Sequence, residues 1–385
     1  MNKKGLTKLQ LIIIIAIIAI AIITTPLSIN LYLSSKQTTQ QPLPSKSYLI
    51  DILGRNVTLP ERINRIVAIG PGMLRLVCYL NAYELIVGVE ESEISWGFIG
   101  RDYAMAFGEN FKKLPIIGPG GPGKPPAPEL ILTVKPDLII MSRTYVEMYD
   151  PNRLEIETNS KVIVMDYGIP GYLDVKTFIE ALRTLGQVLN KKERVEDLIK
   201  FVNNLCKDLE VRTKDISSRP KVYVGAVSYR GPQPFTTTQI SFPPLTLLHT
   251  SSIADKYSNK TGVFFWNFEA ILKEQPDIIF IDEGNLNTVK QDFDKDPSKY
   301  LKLNAFKNNR VFGTLPYNYY HTNIAVALAD AYYIGKVLYP EKFADIDSEK
   351  KADEIFNAFL GKPLYQSYKE VYGGFKNLSE LFKVS

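Results

Sequence analysis

The stretch KKERVEDLIKFVNNLCKDLEVRTKDI, Lys191 to Ile216, decides how the rest of the chain is read. Val195, Leu198, Ile199, Val202, Leu205, Cys206 and Leu209 recur at helical spacing, so one apolar stripe runs along an otherwise charged rod. Asn190 is placed to cap it, with Glu193 three residues on to complete a capping box. No Gly or Pro lies between Gly186 and Pro220, which allows about two dozen helical residues, roughly 36 Å at 1.5 Å per residue. That is long for a helix inside one small domain. What flanks it gives the reason: PELILTVKPDLIIM (Pro128 to Met141) returns beyond it as FEAILKEQPDIIFI (Phe268 to Ile281). Glu129 and Glu269, Ile131 and Ile271, Leu132 and Leu272, Pro136 and Pro276, and Asp137 and Asp277 all stand at the same offset. The pattern predicts two similar lobes joined by a single long rigid α-helix.

A chain of 385 residues, 45% hydrophobic and 23% charged, has room for two ordinary domains. Its 46 basic and 41 acidic residues leave a formal charge of +5 without a long basic block, so nucleic-acid binding is not implied. Cys78 and Cys206 fall on separate apolar helical patterns, where a small buried side chain is the expected role; whether they pair stays open. Two histidines, His249 and His321, cannot build a multi-histidine zinc or manganese site. Carboxylates alone could still bind a harder ion.

MNKKGLTKLQ carries three lysines and no acid and runs into LIIIIAIIAIAII, Leu11 to Ile23. Extended to Leu33, the apolar stretch reaches about 20 residues, enough for a transmembrane helix. Lys3-Lys4-Gly5 resembles the signals processed just after such a glycine that leave the hydrophobic stretch attached, with Gln10 where a glutamate is usual. No lipobox cysteine follows. The expectation is a signal or membrane anchor at 1–33, a polar linker at 34–47 (SSKQTTQQPLPSKS), and a body held on the extracytoplasmic face of the cell membrane. Sequons at Asn56, Asn259 and Asn377 fit that location.

Short β-branched runs then alternate with helical patterns. A hairpin is expected to turn at Gly54-Arg55, followed by strands RIVAIG, LIVGVE, KPDLIIM and KVIVMD, and, after the long helix, KVYVGAVS, QPDIIFID and NRVFGTL. This grammar gives an α/β fold of two doubly wound Rossmann-like lobes, at 48–190 and 218–385, with the interlobe helix at 191–217. Such sheets bind ligands in the crevice beyond their strand ends.

RIVAIGPGMLRL, the PELILTVKPDLII block, the helix before KVYVG and the FEAILKEQPDIIFI block, in that order and spacing, resemble the iron-complex (siderophore) and vitamin B12 family of periplasmic substrate-binding proteins that serve ABC importers, in an archaeal-type, membrane-anchored form. The resemblance covers nearly everything after Ser47. It implies a helical-backbone binding fold whose lobes barely close, because bending a continuous helix breaks hydrogen bonds. It also implies a monomer without enzyme activity, cofactor or metal of its own. Such a protein captures a ferric chelate of the siderophore type, or a corrinoid, and delivers it to an ABC permease dimer with its cytoplasmic ATPase. Glutamates matching Glu129 and Glu269 face permease arginines in that family; a first-turn glutamate is also favoured by the helix dipole alone. Many relatives have a glutamate where this chain has Arg75, and an arginine there suits an anionic ligand.

Trp96, Phe98, Arg101, Arg143, Tyr145, Tyr229, Arg230 and Trp266 lie in or beside loops that follow strands or precede the repeated helices. Aromatics and arginines are what a cleft needs to hold a chelate with a flat or carboxylate-rich face. Tyr317 and the NYYHTN cluster that follows the last strand add Tyr319, Tyr320 and His321, where phenolate ligation and loop packing are both open. GPGGPGK (Gly118 to Lys124) satisfies GxGxxG, but Pro119 and Pro122 remove donors that phosphate would need, and Pro125 stands where a magnesium-binding Ser/Thr belongs. A rigid cleft-rim loop is expected instead. No catalytic constellation can be picked out by spacing; a two-lobed glycosyltransferase-like enzyme and a surface adhesion protein are the alternatives from other classes.

Overall fold

The computed structural model describes residues 7–9, 12, 13, 16 and 47–383. The body, from Ser47 onward, forms one compact unit. The expected anchor and linker lie almost wholly outside the described residues, among which no helix is long and apolar enough to cross a membrane.

The body opens with the expected hairpin, β1 (Tyr48–Ile50) against β2 (Asn56–Thr58), turned through Gly54 at φ 77°. The first half then builds a parallel sheet of β3 (Ile66–Ile69), β4 (Leu138–Ser142) and β5 (Lys161–Met165), with β4 central. LIVGVE does not form a full strand; it touches the sheet region only through single bridges, Ile66 to Ile86 and Val89 to Ile116. The second half brings β6 (Val222–Gly225), an antiparallel pair β7 (Thr237–Ile240) and β8 (Gly262–Phe265), then β9 (Ile278–Asp282) and β10 (Val311–Thr314). Its parallel sheet runs β10-β9-β6. The β7–β8 pair was not foreseen, because each strand is four residues long and β7, TTQI, carries no apolar alternation.

The internal repeat has a physical meaning in both halves. Each copy is a short helix, Pro128–Thr133 or Phe268–Glu274, followed by the central strand of its sheet. The aspartate between them secures the start of the neighbouring strand: Asp137 Oδ2 accepts the backbone N–H groups of Asn64 (2.8 Å) and Arg65 (2.9 Å), and Asp277 Oδ2 accepts that of Lys221 (2.8 Å). The Asp137 and Asp277 N–H groups answer by donating to Arg65 O (2.7 Å) and Lys221 O (2.8 Å).

The decisive stretch is a 22-residue helix, Lys192–Thr213. Asn190 does not cap it. It adopts a left-handed φ of 53° and closes the preceding helix, Val175–Val188, while Lys191 takes the N-cap position without a side-chain bond. The missing cap costs about 1 kcal/mol. Val195, Leu198, Ile199, Val202, Leu205 and Leu209 are all buried, each contributing about 1.5–3 kcal/mol, so tertiary burial decides the helix. Cys206 is half-buried, Cys78 is buried, and both are free thiols.

This helix is not the sole join. Ile324–Leu338 is almost entirely buried and packs on Ser348–Leu360, which reaches back to the first half, where Phe359 meets Tyr79 edge-on at 4.7 Å. Arg194 binds the ends of two helices at once: its Nε donates to Tyr79 O (2.9 Å) and its Nη2 to Ala358 O (2.6 Å) and Phe359 O (2.9 Å). One helical core therefore runs through both halves.

Candidate ligand-binding cleft

Loops leaving the C-terminal ends of β3, β4, β5, β6 and β10 converge on a cavity of about 530 Å³. From the first half come Pro71, Pro122, Gly123, the Thr144–Tyr145 turn, Glu147, Met148 and Pro170; from the second come Tyr229, Arg230 and Asn318 to His321. Two other hollows of about 610 Å³ lie elsewhere, one around Lys336 and Glu349 and one around Asp137 and Lys161. Neither is lined by residues from both halves.

Beneath the cavity sits Glu90, buried at the end of LIVGVE. Its carboxylate accepts three hydrogen bonds, from Gly70 N–H (2.8 Å), Tyr145 OH (2.8 Å) and Tyr320 OH (3.0 Å). Gly70 has a φ of 82°, and a Cβ there would stand 2.8 Å from that of Ser142, so only glycine brings this N–H under the carboxylate. Burial, the largest influence, raises the Glu90 pKa to about 7 against the opposing pull of those donors. Burial also raises the Tyr145 and Tyr320 hydroxyls above their ordinary range, reinforced by Glu90, so neither is a phenolate at neutral pH.

Six of the twelve cleft candidates line the cavity: Tyr145, Tyr229, Arg230, Tyr319, Tyr320 and His321. Arg230 is exposed, lies over the Tyr229 ring at 5.5 Å and, among the described residues, has no ion-pair partner within 4 Å. The His321 ring packs on Tyr167 at 3.9 Å, and its Nδ1 accepts the Thr322 N–H at 2.9 Å. The neutral ring therefore carries its proton on Nε2, 3.5 Å from Asp166 Oδ1. Burial lowers the His321 pKa. With one nitrogen engaged and the other protonated, buried and facing Asp166, His321 is not poised as a metal ligand. Among the described residues there is no cluster of three His, Cys, Asp or Glu side chains able to hold a metal ion.

The other six lie outside the cavity lining. Arg75 and Arg101 are fully buried, with their guanidiniums engaged by protein groups: Arg75 by Asp102 (2.9 Å) and Tyr167 OH (2.9 Å), Arg101 by Glu93 and the carbonyls of Glu93 and Gly97. Direct contact of these two with a ligand is thereby removed. Trp96 packs edge-on against Tyr320 at 5.0 Å. Trp266 is half-buried against the core of the second half and packs with Tyr257 at 4.8 Å. Tyr317 is buried with its OH on Gly171 O (2.8 Å). Arg143 is exposed beside Thr144 without reaching the lining. Sequence reasoning missed Glu90, Thr144, Glu147, Met148 and Asn318. The available signal for Glu90 was a lone acid closing an apolar strand-like run. Pro122 and Gly123 do line the cavity, and Gly121 donates its N–H to Tyr320 OH (3.1 Å). The GPGGPGK loop thus bounds the cleft.

Glu129 and Glu269 are exposed in the first turns of the two repeated helices.

Paired parallel sheets with a preformed crevice at their strand ends define a two-sheet solute receptor. The periplasmic binding protein family model matches residues 112–317, more than half of the chain, and the chain belongs to that family. Its members are the substrate-binding components of ABC transporters, which are not enzymes. The chain is 24% identical over 333 residues, covering 81% of this chain and 90% of the relative, to the molybdate-binding protein MolA of Haemophilus influenzae. The solved structure of MolA bound to molybdate has a TM-score of 0.63 at 20% identity, covering 82% of this chain and 98% of MolA. A periplasmic solute binding protein of Veillonella parvula gives a TM-score of 0.66 at 18% identity (87% and 98% covered). The periplasmic heme binding protein HutB of Vibrio cholerae gives 0.53 at 16% identity (72% and 99% covered). At these identities the structural likenesses establish the fold.

Proposed function

We propose that the chain is the membrane-anchored, extracytoplasmic capture subunit of an ABC importer for a metal complex, a ferric chelate of the siderophore type or a corrinoid. The supporting observation is the lining of the cavity. Four tyrosine rings, Met148 and three prolines offer apolar faces, Arg230 offers an unpaired cation, and Tyr229 and Tyr319 stand at its exposed side. A volume of about 530 Å³ lies in the ~300–1,000 Å³ range of sites for large organic ligands. A bare tetrahedral oxyanion would fill only a fraction of it. The cargo brings its own metal, since His321, Tyr145 and Tyr320 present protonated atoms. On this reading the halves act as lobes at 48–190 and 218–385, and Glu129 and Glu269 are the two contacts offered to a permease dimer.

The test is titration of the full chain, in detergent, with a ferric catecholate chelate, a ferric hydroxamate chelate, heme, cobalamin and molybdate, read by tryptophan fluorescence and thermal shift. One of the large complexes should bind in the submicromolar range, with affinity lost in Tyr229→Ala and Arg230→Ala. Tight binding of molybdate with none of the complexes would overturn the proposal in favour of an oxyanion receptor like MolA.

A further inference from the structure

The segment Tyr317–Asn323 leaves the second half just after β10, yet most of its side-chain bonds reach the first half; Asn318 Nδ2, which donates to Ser228 O (2.9 Å), is the one that stays with the second. Arg75 donates to the carbonyls of Tyr319 (Nη2, 2.9 Å) and Tyr320 (Nη1, 3.3 Å). The Tyr320 hydroxyl donates to Glu90 and accepts the Gly121 N–H (3.0 and 3.1 Å). Thr322 Oγ1 accepts the Gly171 N–H (2.9 Å), its carbonyl accepts the Tyr167 hydroxyl (3.1 Å), and Asn323 Nδ2 donates to Gly100 O (2.7 Å). Tyr320 and His321 are both held at left-handed φ, 52° and 83°. Non-glycine residues keep such angles only when their surroundings over-determine them. Apart from Asn318, the segment is therefore clamped to the half from which it does not come.

Arg75 is the charged member of this clamp. Its guanidinium has no exposed surface, and its charge is answered by Asp102 at 2.9 Å. It lies outside the cavity, but the two carbonyls it holds belong to residues whose rings line the cavity. We propose that Arg75 is a positioning residue: through Tyr319 and Tyr320 it fixes a tie between the halves that sets the opening of the cleft before any ligand arrives. The proposal deepens the ligand-capture reading and rests on it for the role of the cleft. It moves the source of rigidity from the Lys192–Thr213 helix to the aromatic loop.

Amide hydrogen exchange on the ligand-free full chain tests the tie separately from ligand identity. Gly121 and Gly171 belong to the first half, and their N–H groups bond to tie side chains, so both report its release. Arg75→Lys should accelerate exchange at both amides by roughly tenfold or more, while Ile140 and Phe280 in the central strands stay protected. Tyr320→Phe leaves the Arg75–Asp102 pair intact and covers the case in which Arg75→Lys does not fold. It frees Gly121 directly and should also accelerate Gly171, two elements away, if the tie acts as one unit. An unchanged Gly171 in Tyr320→Phe, or an equal acceleration when Asn203→Gly loosens the long helix instead, would overturn the proposal. In whichever complex the wild type binds, Arg75→Lys should lower affinity about tenfold with the thermal midpoint of its sheets unaltered. Failure of every complex to bind the wild type would refute the capture reading and leave the exchange result standing.

Discussion

Replacing Glu90 by glutamine isolates the energetic cost of the buried carboxylate under the cleft. The Glu90 pKa rises from 4.5 to about 7, chiefly because burial strips the charge of water, while Gly70, Tyr145 and Tyr320 oppose the rise and Glu93 adds to it. The folded protein thus binds the proton more tightly than the unfolded chain does. The stabilisation from this group is fully present below pH 4.5 and is lost as pH climbs through 7. At about 1.4 kcal/mol per pH unit over that interval, the loss amounts to about 3 kcal/mol. A glutamine mimics the protonated acid: its carbonyl can take the Gly70 and Tyr320 donors, and its amide can face the Tyr145 oxygen. Urea unfolding of wild type and Glu90→Gln should give similar stabilities near pH 5 and a variant favoured by about 3 kcal/mol more at pH 8 than at pH 5. Glu283, which burial holds near 8, and Asp282, near 6, titrate in the same range but are common to both proteins and cancel in the difference. A difference that stays flat from pH 5 to 8 would refute the burial argument.

Reversing Glu129→Lys and Glu269→Lys together should, on the docking proposal, leave affinity for the bound complex nearly unchanged while abolishing uptake and stimulation of the partner ATPase, because the charge offered to the permease is inverted; uptake that survives at normal protein levels would dismiss the docking role, and lost ligand binding would relocate both residues to the cleft. Asp137→Ala and Asp277→Ala should each destabilise the body by about 0.5–1.5 kcal/mol, because each removes the acceptor of a solvent-accessible strand-start hydrogen bond. The two effects should add, the sites being in different sheets; a neutral Asp277→Ala would mean that the repeat is inherited without a structural duty there.

The scaffold was legible because it is written in periodicity. The stripe from Val195 to Leu209 announces a helix whatever it packs against, and a repeated PELILTVKPDLIIM announces a repeated helix and strand. What periodicity cannot carry is the partner of a polar side chain. Arg75 and Arg101 look like cleft residues in a linear string, since arginines beside loops usually face water. Only the fold reveals Asp102 and Glu93 beside them, which let both guanidiniums be buried. Trp266 is the aromatic counterpart: it precedes a repeated helix as expected, but just past the unforeseen β7–β8 pair it packs half-buried against the core of the second half.

The repeat also shows where duplication stopped governing the sequence. Ser142 and Asp282 occupy equivalent ends of the two central strands, and each caps the short 3-10 turn that follows, accepting from Thr144 N–H and Gly284 N–H respectively. Three residues on, at Tyr145 and Asn285, the copies no longer share a role. Tyr145 turns its hydroxyl to Glu90 and its ring to the cavity, whereas Asn285 is buried, accepting the Gln233 N–H (2.9 Å) and donating to Ala226 O (2.9 Å). A cleft formed by two identical walls would present the same chemistry to both faces of its ligand. Here one wall carries Tyr145, Met148 and Glu147 and the other Arg230 with the clamped Tyr319 and Tyr320. A ligand filling this space should therefore have two unlike faces, and the residues that select it are those at which the two copies differ.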